Sequence, residues 1–278
     1  MRSGHCNNVV IEMKDYLIVV DANYPSGAST LLADIKKIST KPVKYVFDTH
    51  HHGDHLYGNS VWTQAGATTL AYKGVSEELK RNEPANWRRA VAGRKDVAAL
   101  RQPAPEPPKQ TFDKSLFVLQ DSTRRVEFHF FGWAHTRGDG FVYLPKEQLL
   151  ATGDAVVYGP FNGTGDANIG NWASVVRQAM KLQVKHVLPG HGPVGGREIL
   201  VGQETFLREL YAAVKSAIAD KKKLTDLVTM KDNRPTDPKI KLSAGAQRWV
   251  GKGLASQIKD TFEEISLGKP HGEITGGK

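Results

Sequence analysis

The chain has 278 residues, 40% of them hydrophobic, with a net charge of +9 and a pI near 9.5. That size suits one large α/β domain or two small ones, and the apolar content excludes a disordered or fibrous chain. The positive charge is spread along amphipathic stretches, with Lys221-Lys222-Lys223 as its longest run. It reads as a solvated surface rather than a nucleic-acid footprint, and no apolar run approaches the roughly 20 residues of a membrane span.

Cys6 is the single cysteine, which excludes an internal disulfide and a cysteine metal cluster. No signal peptide is evident, yet the chain is already in a strand by Val9. A removed signal would place the protein in the periplasm or outside the cell; otherwise the cytoplasm is expected. Residues 8–13 and 16–20 read as a hairpin turning at Lys14-Asp15. The second strand ends on Asp21, which by itself reads as a strand-end turn residue. Residues 26–38 read as a helix with Leu31, Leu32 and Ile35 on one face.

Residues 43–48 are rich in aromatic and β-branched side chains and read as a strand. Thr49-His50-His51-His52-Gly53-Asp54-His55 follows, where an open α/β sheet places its site. Four of the ten histidines fall within these seven residues. Burying several imidazoles without partners is costly, and neutral imidazole and carboxylate are good zinc ligands. In an extended turn, His50 and His52 can grip one metal while Asp54 and His55 reach a second.

A short helix is expected over 55–64, a strand over 68–71 and a longer helix over 75–96. Pro103, Pro105, Pro107 and Pro108 then mark an extended connector. The insertion is either a wall or lid of the site or a surface excursion. Strands follow at 116–119 and 125–131; alternation puts His129 on a sheet face. Beyond Gly132 comes a loop with His135 at its centre. A hairpin over 140–144 and 148–151 leads to Gly153-Asp154, which alone is an ordinary turn. The Gly- and Asn-rich stretch 158–172 is either a plain loop or a substrate-facing one, with Tyr158, Phe161 and Asn162 as candidate contacts. After a helix over 172–182 and a strand over 185–188, His191 sits between two glycines; His186 is expected to face solvent. Helices are expected over 197–222 and 244–265. Residues 267–278, with His271, read as a frayed tail.

His50-x-His52-x-Asp54-His55 resembles the signature of the metallo-β-lactamase-fold hydrolases, in which a further His, an Asp and a last His follow in order. His135, Asp154 and His191 stand at those places, and the resemblance covers residues 9–193. It implies a four-layer αββα sandwich. The catalytic domain would span 1–222, with a helical insertion at about 75–108, and a C-terminal helical extension over 223–278 would pack on it. It also implies a dinuclear zinc site: His50, His52 and His135 for one ion, Asp54, His55 and His191 for the other, and Asp154 between them. Asp21 would support the ligands from behind. A bridging hydroxide, held by Asp54 as proton shuttle, would attack a small ester, lactone or β-lactam amide.

Asp154 departs from the broad-spectrum β-lactamases of the superfamily, whose corresponding position is Cys or Ser. Lactonases keep the Asp but carry Tyr three residues later, where this chain has Val157, with Tyr158 one step late. Glyoxalase-II-like thioesterases keep it too, but their basic C-terminal motif is not evident. An alternative is an iron-dependent dioxygenase of thiols or persulfides, holding one Fe2+ through His50, His135 and Asp154.

Overall fold

The computed structural model describes residues 6–275. Strands β1 (Val9–Glu12) and β2 (Leu17–Val20) form the expected hairpin, and helix α1 (Pro25–Ile38) crosses to β3 (Val43–Asp48). Two short helices follow, α2 (Gly53–Leu56) and α3 (Asn59–Gln64), before β4 (Thr68–Tyr72). The single helix expected over 55–64 is broken beside Gly58, where a Cβ would stand 2.3 Å from the Ala22 carbonyl oxygen. Residues 73–98 then hold α4 (Lys73–Gly93), which runs through Pro84, and α5 (Lys95–Ala98). Next is β5 (Gln110–Phe112), an edge strand hidden from sequence reading behind the proline run.

The second sheet is built from β6 (Leu116–Gln120), β7 (Arg125–His129), β8 (Phe141–Leu144), β9 (Leu149–Ala151) and, after α6 (Ile169–Ala179), β10 (His186–Leu188). The strand orders are β1-β2-β3-β4-β5 and β10-β9-β8-β7-β6. In the first sheet β2 to β5 run parallel; in the second only β9 and β10 do.

Alternation along the strands makes the layers. Ile18, Val20 and Phe47 face inward and meet Val126, Phe128, Val142 and Leu144 of the other sheet. Leu17, Val19 and Val46 face outward onto Leu31 and Ile35 of α1 and Trp62 of α3. Phe141, Tyr143 and Leu150 face outward onto α6 and α7 (Glu198–Ala219). Helix, sheet, sheet, helix is the four-layer sandwich expected. Strands covered on both faces are apolar throughout, which is why β2 and β8 are buried at every position.

The C-terminal part departs most from expectation. It contains α8 (Leu224–Leu227), a small hairpin of β11 (Thr229–Lys231) and β12 (Arg234–Thr236), α9 (Leu254–Leu267) and α10 (His271–Thr275). The helix expected over 244–265 is a 3-10 turn at Ala244–Trp249, then α9, with Gly251 and Gly253 between them. The frayed tail expected over 267–278 is also corrected: α10 is ordered against the body and His271 is only 2% exposed. Residues 276–278 lie outside the described residues. His186 is exposed as expected, and His129 lies half-buried beside Glu127.

Candidate metal centre

The seven residues singled out by sequence come together where β3, β9 and β10 end and where the loop after β7 turns back. His50, His52, His135 and Asp154 offer ligand-type atoms within 4.8 Å of one another, and so do Asp54, His55 and His191. Asp154 faces both groups. Its Oδ1 is 3.3 Å from His55 Nε2, and its Oδ2 is 3.3 Å from His191 Nε2, 3.9 Å from His135 Nε2 and 4.0 Å from His50 Nε2.

The backbone explains the convergence. β9 and β10 are parallel neighbours, so the turns that follow them lie side by side, with Gly190 N donating to Gly153 O at 2.9 Å. A Cβ on Gly190 would stand 2.0 Å from Asp154 Oδ1, so a side chain there would displace the carboxylate. Gly153 has φ of +50°, a left-handed conformation that costs glycine little.

Hydrogen bonds fix which ring nitrogen faces the centre. His55 Nδ1 donates to Asp21 Oδ2 at 2.8 Å, His52 Nε2 donates to Asp166 Oδ2 at 2.9 Å, and His135 Nδ1 donates to the Gly163 carbonyl at 2.9 Å. Each leaves its other nitrogen pointing inward with a lone pair. His52 Nδ1 and His135 Nε2 then face each other at 3.0 Å, and His55 Nε2 and His191 Nε2 at 3.5 Å. His50 Nε2 is buried with no hydrogen-bond partner, and so is Asp154 Oδ1. Such inward lone pairs and unpartnered oxygens are groups that a cation would satisfy. Three imidazoles, or two imidazoles and a carboxylate, sharing one further carboxylate, is a donor set that fits zinc.

The electrostatics say the same. Burial disfavours a charged His191, but Asp154 and Asp54 outweigh it and push its pKa up to about 10. Burial likewise opposes the His55 cation, yet Asp21, Asp54 and Asp154 raise its pKa well above the usual value. Burial would raise Asp54, but His55 and His191 bring it down to about 2. His135 goes the other way: burial and its neighbour His52 depress it to about 3. In this acidic half the carboxylates favour positive charge, which a bound cation would supply.

Other residues behave differently from one another. Asp21 is 2% exposed and also accepts from Thr49 N at 2.8 Å, which pins the start of the histidine loop. Phe161 is 48% exposed with its ring 5.8 Å from that of His191. Tyr158 packs on Trp249 and under Arg248. Asn162 is buried and accepts from Gln203 Nε2 at 2.6 Å, so its amide is turned toward α7. Beside the centre lies a cavity of about 510 Å³ lined by Tyr24, His52, Asp54, Glu83, Asn86 and Arg89, among others. Helix α4 is thus one wall. Sequence reading missed Asp166 and Glu83. Asp166 lies in a Gly- and Asn-rich loop that carries no pattern pointing to a histidine more than a hundred residues away.

The family model of the Metallo-beta-lactamase superfamily matches residues 1–191. The chain belongs to that superfamily. It is a hydrolase of a metal-dependent family that acts on small molecules. Among curated proteins, the superfamily member "Metallo-beta-lactamase type 2" of Bacillus cereus is 24% identical over 204 residues, covering 70% of each chain. Among solved structures, DIM-1 metallo-beta-lactamase matches with a TM-score of 0.59 and 23% identity over 73% of this chain and 84% of that one. The sec-alkylsulfatase Pisa1 from Pseudomonas sp. shares the fold at a TM-score of 0.73 and 16% identity, over 93% of this chain and 47% of that one. No helix among the described residues of this superfamily hydrolase is long and apolar enough to cross a membrane.

Proposed function

We propose that the chain is a dinuclear zinc hydrolase that cleaves a small ester, lactone or β-lactam amide. His50, His52 and His135 would hold one ion, Asp54, His55 and His191 the other, and Asp154 would lie between. The observation that carries this reading is the position of Asp154, within 4.0 Å of imidazoles from both groups. Two zinc ions there would lower the pKa of a water from about 15.7 toward 7 and polarise a carbonyl. The protein's own work is positioning and proton handling. Asp54 Oδ2 lies 3.2 Å from His191 Nε2 and at the cavity's edge, where a carboxylate can accept a proton from water and deliver it to a leaving group. Phe161 offers an apolar surface beside His191. The cavity wall of Glu83, Asn86 and Arg89 offers hydrogen-bonding groups to the rest of a small substrate.

An iron-dependent dioxygenase would use His50, His135 and Asp154 alone. Asp154 lies closer to His55 and His191, at 3.3 Å each, which favours two ions over one. Metal analysis of the purified protein separates the readings: about two zinc ions per chain against one iron. Turnover is then tested on a chromogenic cephalosporin, an acyl-homoserine lactone, a glutathione thioester and a phosphodiester. Activity on the cephalosporin or lactone, lost in Asp54→Asn and His135→Ala, supports the proposal. Activity that persists in both variants overturns the site assignment.

A further inference from the structure

We propose that α9 and α10 set the ring orientation of His52 and His135 through the loop at residues 163–166, with Asp166 and His271 as positioning residues. The inference rests on the dinuclear reading above; the loop lies within the residues that the family model matches, and the helices that brace it lie beyond them.

The outward nitrogens of both histidines bond to this one loop. Asp166 Oδ2 accepts from His52 Nε2 and the Gly163 carbonyl accepts from His135 Nδ1, each at 2.9 Å. The loop belongs to no helix or strand, so its backbone shape must be imposed by what it touches. Much of that contact comes from the C-terminal helices. Gln257 Nε2 donates to Asn162 O at 2.7 Å. His271 Nδ1 lies 3.1 Å from Thr164 O and 3.0 Å from Gly165 O, two acceptors to which its N–H donates. Thr275 Oγ1 donates to Gly165 O at 2.8 Å, and Gly272 N donates to Ala167 O at 2.9 Å. A Cβ on Gly272 would stand 2.5 Å from Asp166 O, so the helix approaches as closely as a glycine permits.

His271 is itself held. Its Nε2 is 3.3 Å from both Asp260 Oδ1 and Glu263 Oε2, and the side chain is 2% exposed. Asp260, Glu263 and His271 have the composition of a second metal site. Lys259 Nζ lies 2.7 Å from Glu263 Oε2 and 3.7 Å from Asp260 Oδ1, however, a cation already placed beside both carboxylates. The cluster is therefore a strut, and what it braces is the loop that aims two ligands. Asp166 is further fixed by Asn82 Nδ2 at 3.2 Å and by Trp133 Nε1, which donates to its carbonyl at 2.9 Å.

The test is a cobalt(II) titration of the full chain after metal removal, read by visible absorption and by the paramagnetically shifted N–H protons of the ligand imidazoles. Asp166→Ala should weaken the site of His50, His52 and His135 about ten- to hundredfold while the Asp54, His55 and His191 site keeps its affinity. His271→Ala should weaken the same site by less, about three- to tenfold, and speed solvent exchange of the His52 and His135 N–H protons. The His55 N–H, held on Asp21, should exchange as in the wild type. His271→Gln, which keeps a side-chain N–H donor, should recover part of the loss; exposed His186→Ala should change nothing. Wild type taking up two ions, with neither affinity moved or both moved equally in Asp166→Ala and His271→Ala, overturns this inference alone. Wild type binding one ion or none overturns the dinuclear reading and the inference with it. Should His271→Ala fail to fold, Asp166→Ala and His271→Gln decide the matter.

Discussion

His52 and His55 stand three residues apart, just before and within α2, yet they are oriented by opposite ends of the chain. His55 rests on Asp21, and Asp21 is fixed within the first sheet: its N–H bonds Phe47 O at 2.7 Å, and Asn8 Nδ2 donates to its carbonyl at 2.7 Å. Even its backbone is committed, with φ of +67°. His52 and His135 rest on the loop at 163–166, which is braced from residues 257–275. One half of the centre is thus built on strands that the core locks from both sides. The other depends on a loop and two helices that arrive last in the chain. A metal centre divided in this way can be altered one half at a time.

The largest effects should come from removing a group that acts in the chemistry. Asp54→Asn should cut turnover about 10²- to 10⁴-fold with the fold intact, since it removes the proton acceptor of the strand-held half. His135→Ala should produce a loss of similar size from the loop-held half, with one metal ion missing per chain. Steady-state rates and metal content on the same preparations check both. If His135→Ala kept full turnover with one ion bound, the two halves would not be joint parts of one site.

Next comes Asp21. Replacing it with Ala leaves His55 Nδ1 and Thr49 N buried without an acceptor and puts a Cβ-bearing residue of poor left-handed tolerance at φ of +67°. The expected cost is about 3–5 kcal/mol in denaturant unfolding, the scale for truncating one partner of a buried charged pair. Asp21→Asn, which tolerates the backbone conformation, should recover part of that stability but leave the His55 site weak in metal. Unchanged unfolding midpoints in Asp21→Ala would show that the strand-held half is not stiffened as described.

This asymmetry also governs what the sequence could disclose. The layers were legible because alternation writes them into single strands: Ile18 and Val20 inward, Leu17 and Val19 outward. The histidine loop is legible because four imidazoles and a carboxylate crowd just past a strand, whereas His135, Asp154 and His191 are legible only through the places the resemblance sets for them. Asp21 was legible only through the resemblance, as one carboxylate at a strand end. Asp166 and His271 were not legible at all, because their meaning lies in contacts over 114 and 107 residues of chain. The order of the tail is hidden for the same reason. Its sequence is polar and glycine-containing, and its order comes from Gly272 and His271 bonding a loop that no local pattern predicts. Asn162 illustrates the converse: loop composition suggested a substrate contact, and the amide is instead buried against Gln203.

Smaller changes should separate the cavity wall from both halves of the centre. Arg89→Ala removes an exposed guanidinium from the α4 wall without touching any of the seven converging residues. Metal content should stay at the wild-type value. KM should rise with kcat nearly unchanged, on the order of fivefold, the equivalent of about 1 kcal/mol from one exposed hydrogen bond. A fall in kcat with constant KM would instead place Arg89 in the chemistry.

The smallest effect expected concerns how that wall is anchored. Asp96 of α5, just past α4, accepts from Ser26 Oγ at 2.7 Å and from Arg94 Nη2 at 3.0 Å, tying this stretch to the start of α1. Burial would raise its pKa, but the hydrogen bonds from Arg94 and Ser26 win and lower it from 3.8 to about 2. A carboxyl depressed in the folded state gives stability that is fully present above its unfolded value and is lost as pH falls through its folded one. The window is therefore about pH 4 down to pH 2, and the contribution is small because the pair lies near the surface, where solvent screens it. Asp96→Asn should flatten the acid limb of a stability–pH curve across that window while leaving metal affinity at both halves and turnover at pH 7 unchanged. The same flattening in Asp96→Asn accompanied by altered cobalt binding would mean that the α4 wall, and not only the C-terminal brace, helps to aim His52. The comparison between the two halves would then have a third support to account for.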